Sequence, residues 1–263
     1  MSIHPTAVVD PSACIDPTAE IGPYAIVEAD TIVGARTKIL AHAIVCRWSI
    51  LGEDNIVHYG ALIGGEPQHK AYAGEKRLTR IGNRNVIREY ATIHRGYEAG
   101  DAENGTTVGD DCFLMGLSHI GHDCKVGNGV ILANSALLAG HCTVEDKANI
   151  SGNVAIHQHA RIGTLAMISG VTPVRDDVPP YMLVQGDSTV RGLNIVGLRR
   201  SGVDSAGREA IKRAYKILYH KGLPRDKALA EIRAAVEMTP EVSHLLEFIE
   251  SSQRGICNHY RRG

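Results

Sequence analysis

The stretch SHIGHD, residues 118 to 123, sets His119 and His122 three apart with Asp123 beside the second, among small and aliphatic neighbours. His94 in TIHRG, His141 in LAGH and His157 in AIHQ lie within forty residues on either side. Two chemistries suit such a set. A neutral imidazole oriented by a carboxylate can take a proton from a hydroxyl at neutral pH, and the oxygen can then attack an acyl carbonyl. Three neutral imidazoles can instead hold a zinc ion with one open position. The chain has 13 histidines, and a histidine taken alone is usually an ordinary polar residue. The choice depends on what brings these side chains together.

A repeat does so. Stepping by six from Ile3 gives Ile3, Val9, Ile15, Ile21, Val27, Val33, Ile39, Val45, Leu51, Val57 and Ile63. A second run goes from Val108 through Leu114, Ile120, Val126, Leu132, Leu138, Val144, Ile150, Ile156 and Ile162 to Ile168, with Ile81, Ile87 and Ile93 between the two. If a quarter of positions were Ile, Leu or Val, the first run would arise by chance with a probability on the order of 10⁻⁷. Four residues after most of these aliphatics stands a small residue; Cys112, Cys124 and Cys142 fall there and read as core filler. A period of six is neither helical nor that of a flat strand. Short strands turning a corner every six residues produce it, three faces making an 18-residue coil, with coils stacked at ~4.8 Å. Gly22, Gly34, Gly52, Gly82, Gly109, Gly127 and Gly163 suit the corners as tight-turn residues.

The period pauses at 64–80 and 94–107, which read as loops thrown out of the prism, where function tends to sit. It fails after Gly170 and a proline-rich crossover follows. Three amphipathic helices are then expected, the first through Ile211, Ala214, Tyr215 and Leu218 and ended by Gly222, the second through Leu229, Ile232 and Val236, the third through Val242, Leu245, Leu246 and Ile249. The expected fold is mainly β: a parallel β-helix over 1–186 and a small α-helical domain over 187–263. The first part carries 14 Lys+Arg against 20 Asp+Glu and the second 14 against 9, leaving −6 and +5, so an acidic partner could dock on the helical part. No basic leader followed by an apolar stretch, and no apolar run of ~18 residues, is present, which predicts a cytoplasmic protein without stable membrane insertion. Six cysteines without close pairs argue against a disulfide framework or a zinc module.

On an 18-residue coil His122, His141 and His157 fall in one corner region, His159 stacks over His141, and Gly140 lies one coil above His122. A glycine N–H there could hold the oxyanion that forms in acyl transfer. The zinc reading remains beside this one.

IGHDCKVGN, ILANSALLAGH, AIHQ, TIHRG, VPPYMLVQG and NIVGLRR followed by AYKILYHKG resemble, in order and over nearly the whole chain, the bacterial UDP-N-acetylglucosamine O-acyltransferase family of hexapeptide-repeat enzymes. The resemblance implies a left-handed coil and a homotrimer with sites between prisms. It implies a 3-hydroxyacyl thioester on acyl carrier protein as donor and the glucosamine 3-hydroxyl of UDP-N-acetylglucosamine, or a close analogue, as acceptor, in the first step of lipid A synthesis. No cofactor, metal or nucleic acid is implied.

Carried over, His122 matches the catalytic base, Asp123 its orienting carboxylate and Gly140 the oxyanion donor. His94, His119, His141, His157 and Gln158 match residues around sugar, uridine and acyl chain, Asn194 and Arg200 the nucleotide-phosphate contacts, and Gly170 the position where residue size limits acyl length. The family's Q-D-L-K-Y-x-G-E loop reads QHKAYAGE here, so His69 replaces an acid and the lysine is displaced to Lys70 or absent; an acidic residue is also missing at Val196. A UDP-2,3-diamino sugar acylated on nitrogen is therefore an alternative acceptor, and a β-helix without enzymatic activity is the alternative of a different class.

Overall fold

A computed structural model describes residues 2–97 and 105–259. The aliphatics of the six-residue period occupy the axis of the coil: Ile21, Val27, Val33, Ile39, Val45, Leu51, Val57 and Ile63 are each at most 2% exposed, and Leu114, Ile120, Leu132 and Leu138 at most 1%. Most strands are two residues long, one side chain pointing in and one out, because alternate residues of a strand face opposite ways. Among the described residues they stack into three faces of 12, 9 and 8 strands, parallel throughout the coils, each coil strand bonded to the one a coil away, as in His119↔Leu137 and Ile120↔Leu138. The coil winds left-handed, against the usual crossover rule. Cys112, Cys124 and Cys142 are buried at the small positions, and all six cysteines are free thiols.

The corners differ from expectation. Their left-handed backbone falls mostly on residues other than glycine, among them Tyr24, Asp30, Arg36, His42, Trp48, Asp54, Asp123, His141 and His159, with φ between +55° and +66°. The glycines of one column serve a second need, close approach between coils. A Cβ on Gly34 would stand 2.5 Å from the Gly52 carbonyl oxygen, one on Gly52 2.7 Å from that of Gly82, and one on Gly82 2.7 Å from that of Gly109. Gly22 and Gly163 are likewise confined by backbone of the neighbouring coil.

Beyond Gly170 the coil closes once more despite the lost period. Pro173–Val174 pairs with Ala155–Ile156, and Met182–Gln185 pairs with Met167–Ile168 before turning into an antiparallel partner, Thr189–Leu193. The expected division at 186/187 thus falls in the turn of a hairpin. Four helices follow: α1 (Ile195–Arg200), which was not expected, α2 (Ser205–His220), α3 (Arg225–Ala235) and α4 (Pro240–Glu250). Asn194, Asp204 and Thr239 cap α1, α2 and α4 by accepting the backbone N–H three residues on. Asn258–His259 returns to pair with Thr189–Val190, fastening the C-terminal segment to the coil. No described helix is long and apolar enough to cross a membrane.

The two excursions leave from strands of the second face. Leu62–Gly65 leads into the first and Leu78–Ile81 resumes the coil; Thr92–His94 leads into the second and Gly105–Val108 resumes it. Part of the second excursion, 98–104, lies outside the described residues.

Candidate active site

Ile120 is 1% exposed on the prism axis, so the chain must turn a corner directly after it. The corner fixes the geometry of the next three residues. Asp123 takes the left-handed conformation, φ +59°, which a short polar side chain tolerates, and its N–H donates to Thr106 Oγ1 at 2.9 Å. The carboxylate folds back so that Oδ2 lies 2.8 Å from His122 Nδ1. Tyr97 N–H donates to the same oxygen at 2.9 Å. Burial would push the Asp123 carboxyl up, but the bonds from His122 and Tyr97 outweigh it and hold it below the usual range. An ionised carboxylate only accepts, so Nδ1 carries the imidazole proton and Nε2 offers a lone pair.

That Nε2 faces Gly140, one coil up. A Cβ on Gly140 would stand 2.5 Å from both Cε1 and Nε2 of His122. Among the described residues the Gly140 N–H makes no backbone hydrogen bond. His141 packs edge-on to His122 with centroids 4.9 Å apart, puts Nε2 3.8 Å from Asp123 Oδ2, and stacks on His159 at 4.6 Å.

His69 comes in from the first excursion. It stacks on Tyr97 at 3.8 Å and meets His122 edge-on at 5.7 Å, whereas Lys70 beside it is exposed. Behind His122, His94 and His119 meet edge-on at 4.8 Å, and His119 Nδ1 shares a 2.8 Å hydrogen bond with Thr92 Oγ1. Burial, then the neighbouring His119, His122 and Arg95, lowers the His94 imidazole to about 4. Burial and His122 lower His119 as well.

The remaining expected residues lie elsewhere. His157 and Gln158 are gripped by Arg254. Asn194 caps α1 through Oδ1 and donates Nδ2–H to the Leu165 carbonyl at 2.8 Å, and with Arg200 it lines a cavity of about 690 Å³ walled by Ile131, Met167, Leu183 and Leu193. Gly170 sits at a different corner of the prism, where a Cβ would come within 3.3 Å of the Gly152 carbonyl oxygen. Three contributors were not anticipated: Tyr97, Thr106 and Arg254. Each acts from a segment without the six-residue period or from a scaffold position, which gives no sequence signal.

One group among the described residues could converge on a metal ion: His122, Asp123 and His141, with ligand atoms within 4.8 Å of one another. It includes a carboxylate, and His157 of the zinc reading is not part of it. The short His122–Asp123 bond already engages Nδ1 and Oδ2 of two of its three members.

A left-handed prism of hexapeptide repeats carrying a His–Asp pair closely packed by a glycine of the next coil defines a hexapeptide-repeat transferase. The bacterial transferase hexapeptide family model matches residues 105–140, and the model described as UDP-N-acetylglucosamine O-acyltransferase, domain 2, matches residues 177–257. The solved UDP-N-acetylglucosamine acyltransferase of Francisella novicida is 36% identical, covering 99% of this chain and 95% of its own, with a TM-score of 0.93. That of Bacteroides fragilis is 38% identical over 97% of this chain and 99% of its own, TM-score 0.92. The Arabidopsis enzyme is 33% identical over 97% and 100%, TM-score 0.85. The chain belongs to the UDP-N-acetylglucosamine O-acyltransferase family.

Proposed function

We propose that this protein transfers a 3-hydroxyacyl group from the thioester of acyl carrier protein to the 3-hydroxyl of the glucosamine in UDP-N-acetylglucosamine, opening lipid A synthesis. His122 Nε2 takes the proton of the hydroxyl while Nδ1–H stays on Asp123. The freed oxygen bonds to the thioester carbonyl carbon, and the Gly140 N–H receives the oxyanion. As the tetrahedral species collapses, the carbon–sulfur bond breaks and the imidazolium returns its proton to the leaving thiolate. The observation that carries this reading is the alignment of Asp123, His122 and Gly140: the carboxylate at Nδ1, the lone pair at Nε2, and the Gly140 backbone packed against that end of the ring.

The substrate-facing groups of one chain fall into separate places. None of His122, Asp123, Gly140 or His141 lines the cavity that holds Asn194 and Arg200. This supports a site completed between copies in a homotrimer, with Asn194 and Arg200 of one copy meeting the sugar nucleotide held at His122 of another. The basic side chains of α2, Arg208, Lys212, Arg213 and Lys216, support docking of an acidic carrier protein. Purified protein incubated with 3-hydroxyacyl carrier protein and UDP-N-acetylglucosamine is expected to yield an acylated sugar nucleotide by mass; no product with carriers of several chain lengths would overturn the proposal.

His69, standing where the family has an acid and 5.7 Å from His122, supports a second reading in which the acceptor is a UDP-2,3-diamino sugar acylated on its 3-amino group. Running both sugars in the same assay separates them by relative kcat/KM.

A further inference from the structure

The segment after α4 doubles back over the prism, where three hydrogen bonds join it to Asp177 and a fourth braces it internally. Asp177 N–H donates to the Gly255 carbonyl at 3.0 Å, Cys257 N–H to the Asp177 carbonyl at 2.9 Å, Ser252 Oγ to Asp177 Oδ2 at 2.8 Å, and Gly255 N–H to Ser252 Oγ at 3.1 Å. Asp177 is 1% exposed, so this clasp is shielded from water. It leaves Arg254 at one set position, and all three nitrogens of its guanidinium are used. Nε donates to the Arg175 carbonyl, Nη1 to the Gln158 carbonyl at 3.0 Å, and Nη2 reaches His157 Nδ1 at 2.7 Å.

A guanidinium only donates. His157 Nδ1 must therefore accept from Arg254, although the Gln158 carbonyl also lies 3.1 Å from it. The carbonyl and Nδ1 are two acceptors bridged by one cation, not a donor and its acceptor. The proton of the neutral ring is then on Nε2, which is left to meet a ligand as a donor. Arg254 sets both the ring's orientation and its tautomer, in the way an outer partner fixes a histidine that binds something else through its far nitrogen.

We propose that Arg254 is a positioning residue for the nucleotide end of the acceptor: from the returning C-terminal segment it locks His157 as an Nε2–H donor toward an oxygen of the bound UDP sugar. This rests on the reading of His157 as a substrate contact. Arg254 touches no reacting atom and acts through His157, so its loss should weaken substrate binding and leave the chemical step alone.

The test uses the full-length enzyme with Arg254→Ala, Arg254→Lys, His157→Ala and the double variant Arg254→Ala/His157→Ala. In ¹⁵N spectra of ring-labelled protein, His157 is expected to show the Nε2–H tautomer, lost to a mixture in Arg254→Ala. KM for UDP-N-acetylglucosamine, at saturating acyl carrier protein, is expected to rise about tenfold in Arg254→Ala with kcat little changed, as for loss of uniform binding. Lysine keeps the charge but not the two-pronged bridge, so Arg254→Lys should recover only part of this, and the double variant should be no worse than His157→Ala alone. An unchanged tautomer in Arg254→Ala, or effects that add in the double variant, overturns the positioning role. If His157→Ala leaves KM unchanged, the reading of His157 as a substrate contact fails instead, and the spectra still report whether Arg254 sets its tautomer. Should Arg254→Ala lose the clasp and unfold, Arg254→Lys read in the same spectra decides.

Discussion

Gly140 lies over the His122 imidazole so closely that a single methyl group on its Cα would stand 2.5 Å from both Cε1 and Nε2. Real Cβ contacts do not come that close, and the atoms in the way are those of a ring held at its other end by Asp123.

Gly140→Ala is therefore expected to displace the His122 ring, the group proposed to take the proton, rather than merely to crowd the substrate. Turnover should fall roughly 10²-fold or more, since small misplacements of a catalytic group are costly, while the melting temperature changes by only a few degrees. Near wild-type kcat in a folded Gly140→Ala protein would show that His122 Nε2 is not the base.

Removing the proposed base and loosening its tautomer should differ in degree. His122→Ala is expected to abolish measurable turnover. Asp123→Asn keeps the shape but no longer obliges Nδ1 to carry the proton, so kcat is expected to drop roughly 10²- to 10⁴-fold. Comparable kcat values for Asp123→Asn and the wild type would remove the carboxylate from the mechanism.

Arg95 ties the first excursion to the coil. It is 3% exposed, lies 5.1 Å over the Trp48 ring and 5.8 Å from that of Tyr72, and pairs with Glu66 at 3.3 Å. Arg95→Met is expected to free residues 66–77, seen as rapid tryptic cleavage at Lys70 or Lys76, with a loss of about 1–3 kcal/mol in stability. Cleavage as slow as in the wild type would mean the loop is held by something else.

Acid should weaken the fold through His94. Its folded value of about 4 lies below the ordinary 6.5, so between these limits the unfolded chain binds more protons and stability falls as pH falls, by up to about 3 kcal/mol near pH 4. A His94→Leu variant should lose less melting temperature than the wild type between pH 7 and pH 5; equal losses would exclude His94 as the source.

The contact between α4 and the prism runs the other way. His244 Nε2 lies 2.8 Å from Glu145 Oε2, and that bond raises the imidazole's value despite burial. Its contribution is complete below about 6.5 and fades as pH rises through the folded value. Glu145 is held low against burial by His244 and by Thr164, so its contribution fades only in acid, below the ordinary carboxylate range. The pair is partly exposed, and its effect should stay below about 1 kcal/mol. His244→Gln is expected to flatten the decline in melting temperature between pH 6 and pH 8; an unchanged slope would rule the pair out.

The coil was legible because its signal is a single repeated demand, one aliphatic at the axis every six residues, and Ile120 and Leu138 obey it as strictly as Ile21. The same arithmetic placed Gly140 over His122 and His159 over His141. The corners were misjudged because two demands on small residues look alike in sequence. Gly34 and Gly52 answer the closeness of neighbouring coils, while the left-handed backbone is borne by residues such as Asp30 and His42. Tyr97 could not be found at all, since its part in the site is a backbone N–H offered to a carboxylate 26 residues away. Helix α1 is only six residues long, too short for a period to declare itself.

Among the described residues the coil of Ser2 to Ile15 is the outermost layer of the stack. Ser2–Ile3, Val8–Val9 and Cys14–Ile15 each pair on one side only, and Ile3 is 38% and Val8 63% exposed, where Ile21 and Ile39 above Ile3 are buried and Ile26 and Ile44 above Val8 half-buried. In a stack whose layers lean only on their neighbours, opening spreads inward from such a free end like a zipper. The coil bearing His122 lies far from that end, and beyond it the chain is fastened by the returning C-terminal strand. The depth at which His122 sits along the axis is thus itself a form of protection, measured in layers that must be lost before the proposed base is disturbed.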